Sequence, residues 1–517
     1  MAARVFSDLI RYQRVFQMIF VVGMGGTFLI GFQISVISYP SQYIKTFINQ
    51  TWVKRYGSAL HHETLTFLWS AVVSIFCLGG ILGNLSSGHV TTQYGKKKTL
   101  LFNDIVTIAA ALLVGFSRTA DSFEMILISR FLYGFTAETS LNLSVTYLFL
   151  LTEGISLNAN GPYVGEIAPK KFRGFATATC SVFFSLGKAF GQIMGLRDLF
   201  GTESLWPVLL ALCGIPALLQ LLLLPFFPES PPYLLLQKGD KDGCLKAMKY
   251  LWGEGHHQAE LEDMVKQKED MRSSKNLSVL EVMSEKSVRW PLGLSVLLIF
   301  TLNLSGLSAI YFYAFEVFRT AKIEESLIPY VAVGVGSCEF VGTILCSCLV
   351  DRFGRRVLLW GGFAMMGLVM VLLVLALSFQ GQFPWISFGS IALIFLFTLS
   401  YGLGPSGAIF AVIMEIFGQS VRPSALTIIG IVSWVGLFLV GMTFPFLVEV
   451  LGHFCFLFFF VVLLVVGILI YRYLPETKGR SISEITEEFK RMRLGKRMAI
   501  TARGKMAATD HSFCTKL

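Results

Sequence analysis

The sequence predicts an all-α membrane protein with twelve transmembrane helices in two pseudo-symmetric six-helix bundles. Three observations carry this. Of 517 residues, 54% are hydrophobic and only 15% charged, against roughly 25% charged in soluble domains. The apolar residues come in runs of about 20, the length that crosses a bilayer core as helix. Motifs at the ends of these runs recur in both halves of the chain. This composition excludes a disordered, collagen-like or disulfide-stapled protein.

The runs lie near 15–38, 66–88, 99–117, 124–163 (interrupted), 174–196, 206–227, 290–315, 328–350, 357–379, 385–414, 424–448 and 452–473. The first is too long for a cleavable signal and lacks a small-residue cleavage pattern. An even number of spans puts both termini on one side. With the termini inside, inner segments hold 34 of the 43 Lys and Arg and outer loops hold 7. The positive-inside rule supports that orientation, with cytoplasmic termini; the membrane is expected to be the plasma membrane. The net charge of +10 is then a matter of sidedness and anionic lipid contact. Nucleic acid is not an expected partner, because no soluble segment interleaves basic and aromatic residues on one face. The lipid bilayer is.

The runs divide as 1–228, a first bundle; 229–289, a polar linker of short amphipathic helices; 290–473, a second bundle; and 474–517, an inner tail. Tyr94-Gly95-Lys96-Lys97 after the second span matches Phe353-Gly354-Arg355-Arg356 after the eighth. Glu166-Ile167 matches Glu415-Ile416, and Pro228-Glu229-Ser230 matches Pro475-Glu476-Thr477. Parallel internal repeats of this kind mark transporters. The offsets are 259, 249 and 247 residues, so extra sequence lies between Gly95 and Glu166. Ser140-Leu141-Asn142 with Tyr147 recurs as Ser156-Leu157-Asn158 with Tyr163. That is a local duplication near 140–156 or a chance likeness within apolar sequence. Asn49-Gln50-Thr51 is a glycosylation sequon in the first outer loop. The sequons at Asn84 and Asn142 sit in predicted membrane and read as chance.

The paired motifs resemble the major facilitator superfamily and, within it, the sugar porters of the facilitative glucose transporter family. The pieces that carry this are Gly165-Glu166-Ile167-Ala168-Pro169 with Arg173-Gly174, Pro228-Glu229-Ser230-Pro231, Leu304-Ser305-Gly306, Asp351 to Arg356, Gly404-Pro405 and Pro475 to Gly479. Ser337-Cys338-Glu339 and Val440-Gly441 before Phe444-Pro445-Phe446 are most similar to class II, the fructose-type branch. The resemblance implies the major facilitator fold and downhill carriage of a hexose such as glucose or fructose by alternating access. It implies a small-molecule sugar as partner, a monomeric functional unit and no cofactor.

It also implies roles for residues. Glu166, Arg173, Glu229, Arg352, Arg355, Arg356, Glu415, Arg422 and Glu476 fall at span ends on the inner side, where opposite charges pair without crossing the bilayer. The family reads such clusters as gates that latch the outward-open state; ordinary topogenic charge is the plainer reading. The first cluster is depleted, since Gln93 and Pro232 stand at usually basic positions. The outward-facing state is therefore expected to be less stable, with the second cluster dominant.

The pocket positions carried over from the family are Ser181, Gln192, Asn303, Ser308, Tyr313, Phe410 and Trp434. A sugar needs amide and hydroxyl partners and an aromatic platform; each polar residue can equally be helix-to-helix glue, and each aromatic can be core. Lys188, one turn before Gln192, and Glu339, midway along the eighth span, are charges that topology does not explain. A charge at membrane depth is a functional candidate by default. They are expected to meet across the cavity between the halves, as a conformational latch or as an anion-attracting Lys188. Snorkelling of Lys188 and a protonated Glu339 are the alternatives. Other functions compatible with the altered pocket are a sugar-binding sensor or transport-incompetent relative, an organic-anion carrier, and a proton-coupled carrier using Glu339. The last lacks the first-span acid usual in such carriers, since Gln33 stands there. No nucleophile–base pair, metal cluster or phosphate loop suggests an enzyme.

Overall fold

The computed structural model describes residues 13–140, 168–489 and 491, apart from 230, 253–260, 263–264, 266–277, 286, 322, 380–384, 418–420, 479 and 481–483. The local repeat copies beyond Ser140, together with Glu166, lie outside the described residues.

Among those residues the chain is helix and turn. Nine segments are long and apolar enough to cross a membrane, and the last, Ser424–Tyr473, is two helices broken at Gly452–Phe454. Residues 124–140 and Ala168–Met194 supply the fourth and fifth spans. Polar side chains turn inward and apolar ones outward, as lipid demands. On the third span, Lys96–Phe116, Asn103, Asp104 and Thr107 are buried while Phe102 and Ile105 are exposed.

Packing repeats along with sequence. The first span lies on the fifth and the seventh on the eleventh; the third lies on the sixth and the ninth on the twelfth. The second meets the fourth through Gly79 and Gly83, and the eighth meets the tenth through Gly342 and Gly402. Two seams join the halves, second on eleventh and fifth on eighth.

Several spans are broken rather than straight. The first passes through a π-turn at Met24–Phe28, and the tenth through one at Gly402–Ser406 containing Pro405. Proline has no N–H to give, so the ladder must shift there. The seventh is Arg289–Asn303, a turn at Gly306, Leu307–Phe312, a break at Tyr313, and Ala314–Thr320.

One face of the bundle bears the helix Ser41–Tyr56 with its sequon, and the opposite face bears the linker. At the sequon face the halves are joined. Lys45 Nζ lies 2.9 Å from Glu316 Oε1, Tyr39 donates to the Pro329 carbonyl at 3.1 Å, and Tyr39 and Phe315 meet edge to face at 5.7 Å. At the linker face, Lys241–Trp252 buries Cys244, Met248 and Leu251 against Met18, Val22 and Leu224. Arg14 covers the Tyr250 ring.

Candidate functional site

The described residues expected to gate sit at the linker face, and their carboxylates meet backbone N–H groups more than the sequence suggested. Gly95 and Gly354 have φ of +88° and +90°, a region that favours glycine. Each turn aims the first N–H groups of the following helix at a carboxylate from the end of its own half. Glu476 accepts from Arg355 N at 2.9 Å and Arg356 N at 3.1 Å, and Glu229 accepts from Lys97 N at 3.2 Å. An acid at a helix N-terminus is stabilised both by these bonds and by the macrodipole. The Lys97 ammonium donates to the carbonyls of Pro225 (2.8 Å) and Phe227 (2.6 Å).

The remaining members take varied partners. Arg355 NH2 pairs with Glu415 Oε1 at 2.9 Å. Arg356 donates to the Tyr471 carbonyl. Arg422 donates to the Phe417 carbonyl from Nε and NH2, at 3.3 and 3.1 Å, closing the end of the tenth span. Arg352 is exposed, and its carbonyl accepts from Lys478. Arg173 belongs to the fifth-span helix, and its side chain lies outside the described set.

Deep between the halves the structure brings Lys188 and Glu339 together. Lys188 Nζ is 2.8 Å from Glu339 Oε1, with side chains 5% and 0% exposed. Tyr311 donates to the other carboxylate oxygen at 2.5 Å. The ammonium lies 4.5 Å from the ring centres of both Phe184 and Tyr311. One turn on, Gln192 packs against Gly336, where a Cβ would sit 1.9 Å from its Oε1. That Oε1 is buried and has no hydrogen-bond partner among the described residues. Spacings of four residues on the fifth span and three on the eighth put both pairs on facing stripes.

The other pocket positions scatter around this centre. Asn303 ends the first segment of the seventh span and donates to the Ser433 carbonyl (3.0 Å) and hydroxyl (3.3 Å) of the eleventh. Tyr313 donates to the Gly441 carbonyl and lies against Phe444. Ser181 is buried and Ser308 half-buried. Phe410 is 37% exposed, unlike a ring enclosed in a pocket. Trp434 faces the first half, and its Nε1 donates to Glu138 Oε2 at 2.8 Å.

Sequence reasoning missed Glu138, Tyr311 and Asp104. All three are buried, and an acid inside an apolar run was the available signal for the two carboxyls. Gln33 of the first span accepts at Oε1 from the buried Arg130, at 3.0 Å. Of the predicted sequons, Asn49 lies in a helix, with its amide oxygen accepting from Leu60 N at 3.2 Å. Asn84 is buried and donates to the Thr427 carbonyl, which fits chance occurrence; Asn142 lies outside the described residues.

Two symmetric bundles, glycine-turn clamps at one face and polar groups buried in the seam between halves define a membrane carrier rather than an enzyme. Residues 18–149 and 151–489 match the family described as "Sugar (and other) transporter", and the chain belongs to that family. The human protein "Solute carrier family 2, facilitated glucose transporter member 11" is 38% identical over 494 residues, covering 96% of each chain. Member 5 from Ovis aries is 38% identical, covering 91% of each chain. Member 9 from Mus musculus is 38% identical, covering 91% of this chain and 84% of its own. The relatives are thus of the class II branch that the motifs resembled. In fold the chain is similar to the proton:xylose symporter XylE bound to 6-bromo-6-deoxy-D-glucose. That match has a TM-score of 0.72 at 20% identity over 92% of this chain and 99% of the other. An inward open conformation of the E. coli xylose transporter XylE matches at 0.71 and 19%, covering 91% and 99%.

Proposed function

We propose that this protein carries a hexose such as glucose or fructose down its gradient, by alternating exposure of a site between the two bundles. The relatives' printed names, facilitated glucose transporters, support the solute class. The observation that carries the reading is Gln192 Oε1: a buried amide acceptor without a partner among the described residues, in the seam between halves. Leaving such an atom unmade costs about 1–3 kcal/mol, and a sugar hydroxyl can satisfy it. Asn303 and Ser308 of the seventh span add an amide and a hydroxyl from the second half, and no cofactor is required for downhill flux. In this reading residues 1–228 and 290–473 rock against each other, with 229–289 as the joint. The linker face is cytoplasmic, the membrane is the plasma membrane, and the unit is a monomer. Lys188 and Glu339 tie the halves in the state closed at the sequon face, and the linker-face cluster of Arg355, Arg356, Glu415, Arg422 and Glu476 shapes the opposite closure.

Lys188 favours one second reading. An ionised solute could replace Glu339 on the ammonium, which would make the protein a carrier of organic anions. Uptake of labelled glucose, fructose and a monocarboxylate into proteoliposomes separates the two. Saturable hexose counterflow that falls at least tenfold in Gln192→Ala supports hexose carriage. Anion flux without hexose flux would replace it, and binding without counterflow would indicate a sensor.

A further inference from the structure

Trp434 is the aromatic that sequence reasoning offered as a sugar platform, yet it is 4% exposed and seated in the opposite half. Its ring is seated among first-half residues. The indole lies over Gly80, where a Cβ would come within 2.3 Å of Cδ2, so only glycine leaves room for it. Phe76 meets the ring edge-on at 5.3 Å. Glu138 of the fourth span is buried and accepts from the indole Nε1 at 2.8 Å. One turn toward the linker face, Gly430 abuts Asn84 and Glu138 Oε1, and Asn84 Nδ2 donates to the Thr427 carbonyl.

We propose that Glu138 is a positioning residue for Trp434: the carboxylate fixes the indole in the first-half socket and so ties the second–eleventh seam together on its linker side. The inference rests on the alternating-access reading and adds a residue to which that reading gave no role. Three physical points support it. A hydrogen bond to a charged acceptor at membrane depth has little competition from water and is stronger than one between neutral groups. A buried carboxylate is costly in lipid surroundings without such donors. Its donor is on the other half, so the bond is lost whenever the seam parts at this level. The seam also touches nearer the sequon face, where Gly441 abuts Ser74, and the Glu138 tie lies beyond that contact toward the linker face. It therefore resists opening at the linker face, and the indole becomes free to meet a solute only as that face opens.

The test places a reporter on the second span one turn beyond Asn84. Ser87 is buried and follows Gly80 and Asn84 on the same helical stripe, so Ser87→Cys reports parting of the seam. In permeabilised membranes, maleimide labelling at this position is read by peptide mass. Glu138→Ala and Trp434→Phe should each speed labelling roughly tenfold or more, the factor for one lost charge-assisted bond. The double variant should be no faster than either single, because both remove the same bond. Glu138→Gln keeps an acceptor oxygen and should restore labelling to within about threefold of the parent. Unchanged labelling in the single variants, multiplying effects in the double, or failure of Glu138→Gln to rescue would each overturn the proposal. Labelling requires no solute, so absence of hexose flux would sink the hexose reading and leave this inference standing.

Discussion

Removing Lys188 should destabilise the protein far more than removing any exposed charge. Lys188→Met keeps the length of the side chain and its packing on Phe184 and Tyr311 while deleting the ammonium. Glu339, fully buried, then keeps Tyr311 as its one side-chain donor among the described residues. Stripping one partner from a buried ion pair costs about 3–5 kcal/mol, because the other charge stays behind without compensation. Tyr311→Phe removes one bond to the same carboxylate and should cost about 1.5–3 kcal/mol. Glu339→Gln combined with Lys188→Met removes both charges and should recover much of the loss, since neutral replacements of buried pairs are often near neutral. Heating detergent-solubilised protein and measuring the monodisperse fraction ranks these variants. The expected order of stability is parent, Tyr311→Phe near the neutral double variant, then Lys188→Met. If Lys188→Met melts with the parent, or if the double variant loses the sum of its singles, the ion pair does not hold the fifth and eighth spans together.

Other outcomes follow from the linker face. Glu476→Gln weakens two backbone bonds at the start of the ninth span and should cost about 1–3 kcal/mol, visible as a lower melting midpoint. Gly354→Ala places a side chain at φ +90° and 2.6 Å from Glu476 Oε2. It should lose about 1–3 kcal/mol and reduce the yield of folded protein, whereas Gly361→Ala, in open space on the helix that follows, should not. Burial and then Asp240 push the Cys244 thiol of the linker up to about 11. Alkylation needs the thiolate, so its rate in native protein should climb about tenfold per pH unit from 8 to 10 without levelling. A plateau near pH 8.5 would show an unperturbed, exposed thiol. If Asn49 carries glycan, Asn49→Gln should abolish the glycosidase-sensitive shift on a gel.

The spans were legible because lipid imposes one rule on every helix: apolar runs of fixed length, with charge at the ends. The repeat was legible because Gly95 and Gly354, and Glu229 and Glu476, do the same job in each half. The manner of that job was not. A carboxylate beside a basic run reads as an ion pair, and only the positive φ of the glycine shows that the backbone N–H groups reach it first. Lys188 and Glu339 could be paired from sequence since each was the odd charge in its span. Glu138 carried the same signal, but its partner is a neutral indole 296 residues away, and no charge rule points from one to the other. Trp434 shows the converse limit. An aromatic at a pocket position says nothing about which half the ring faces.

The two kinds of linkage have different histories during synthesis. Each glycine-turn clamp is complete without the other half, because Glu229 opens the linker, is made before the second bundle, and closes onto a helix already present. The first bundle can therefore finish its linker face while the second is still on the ribosome. Lys188 must wait about 150 residues for Glu339, and the indole that Glu138 holds arrives later still. A half-built chain thus keeps an ammonium at membrane depth without its carboxylate, a state that membrane quality control can recognise. Truncations or splice forms ending before the eighth span should be degraded quickly, and Lys188→Met should lengthen their lifetime even as it weakens the full-length protein.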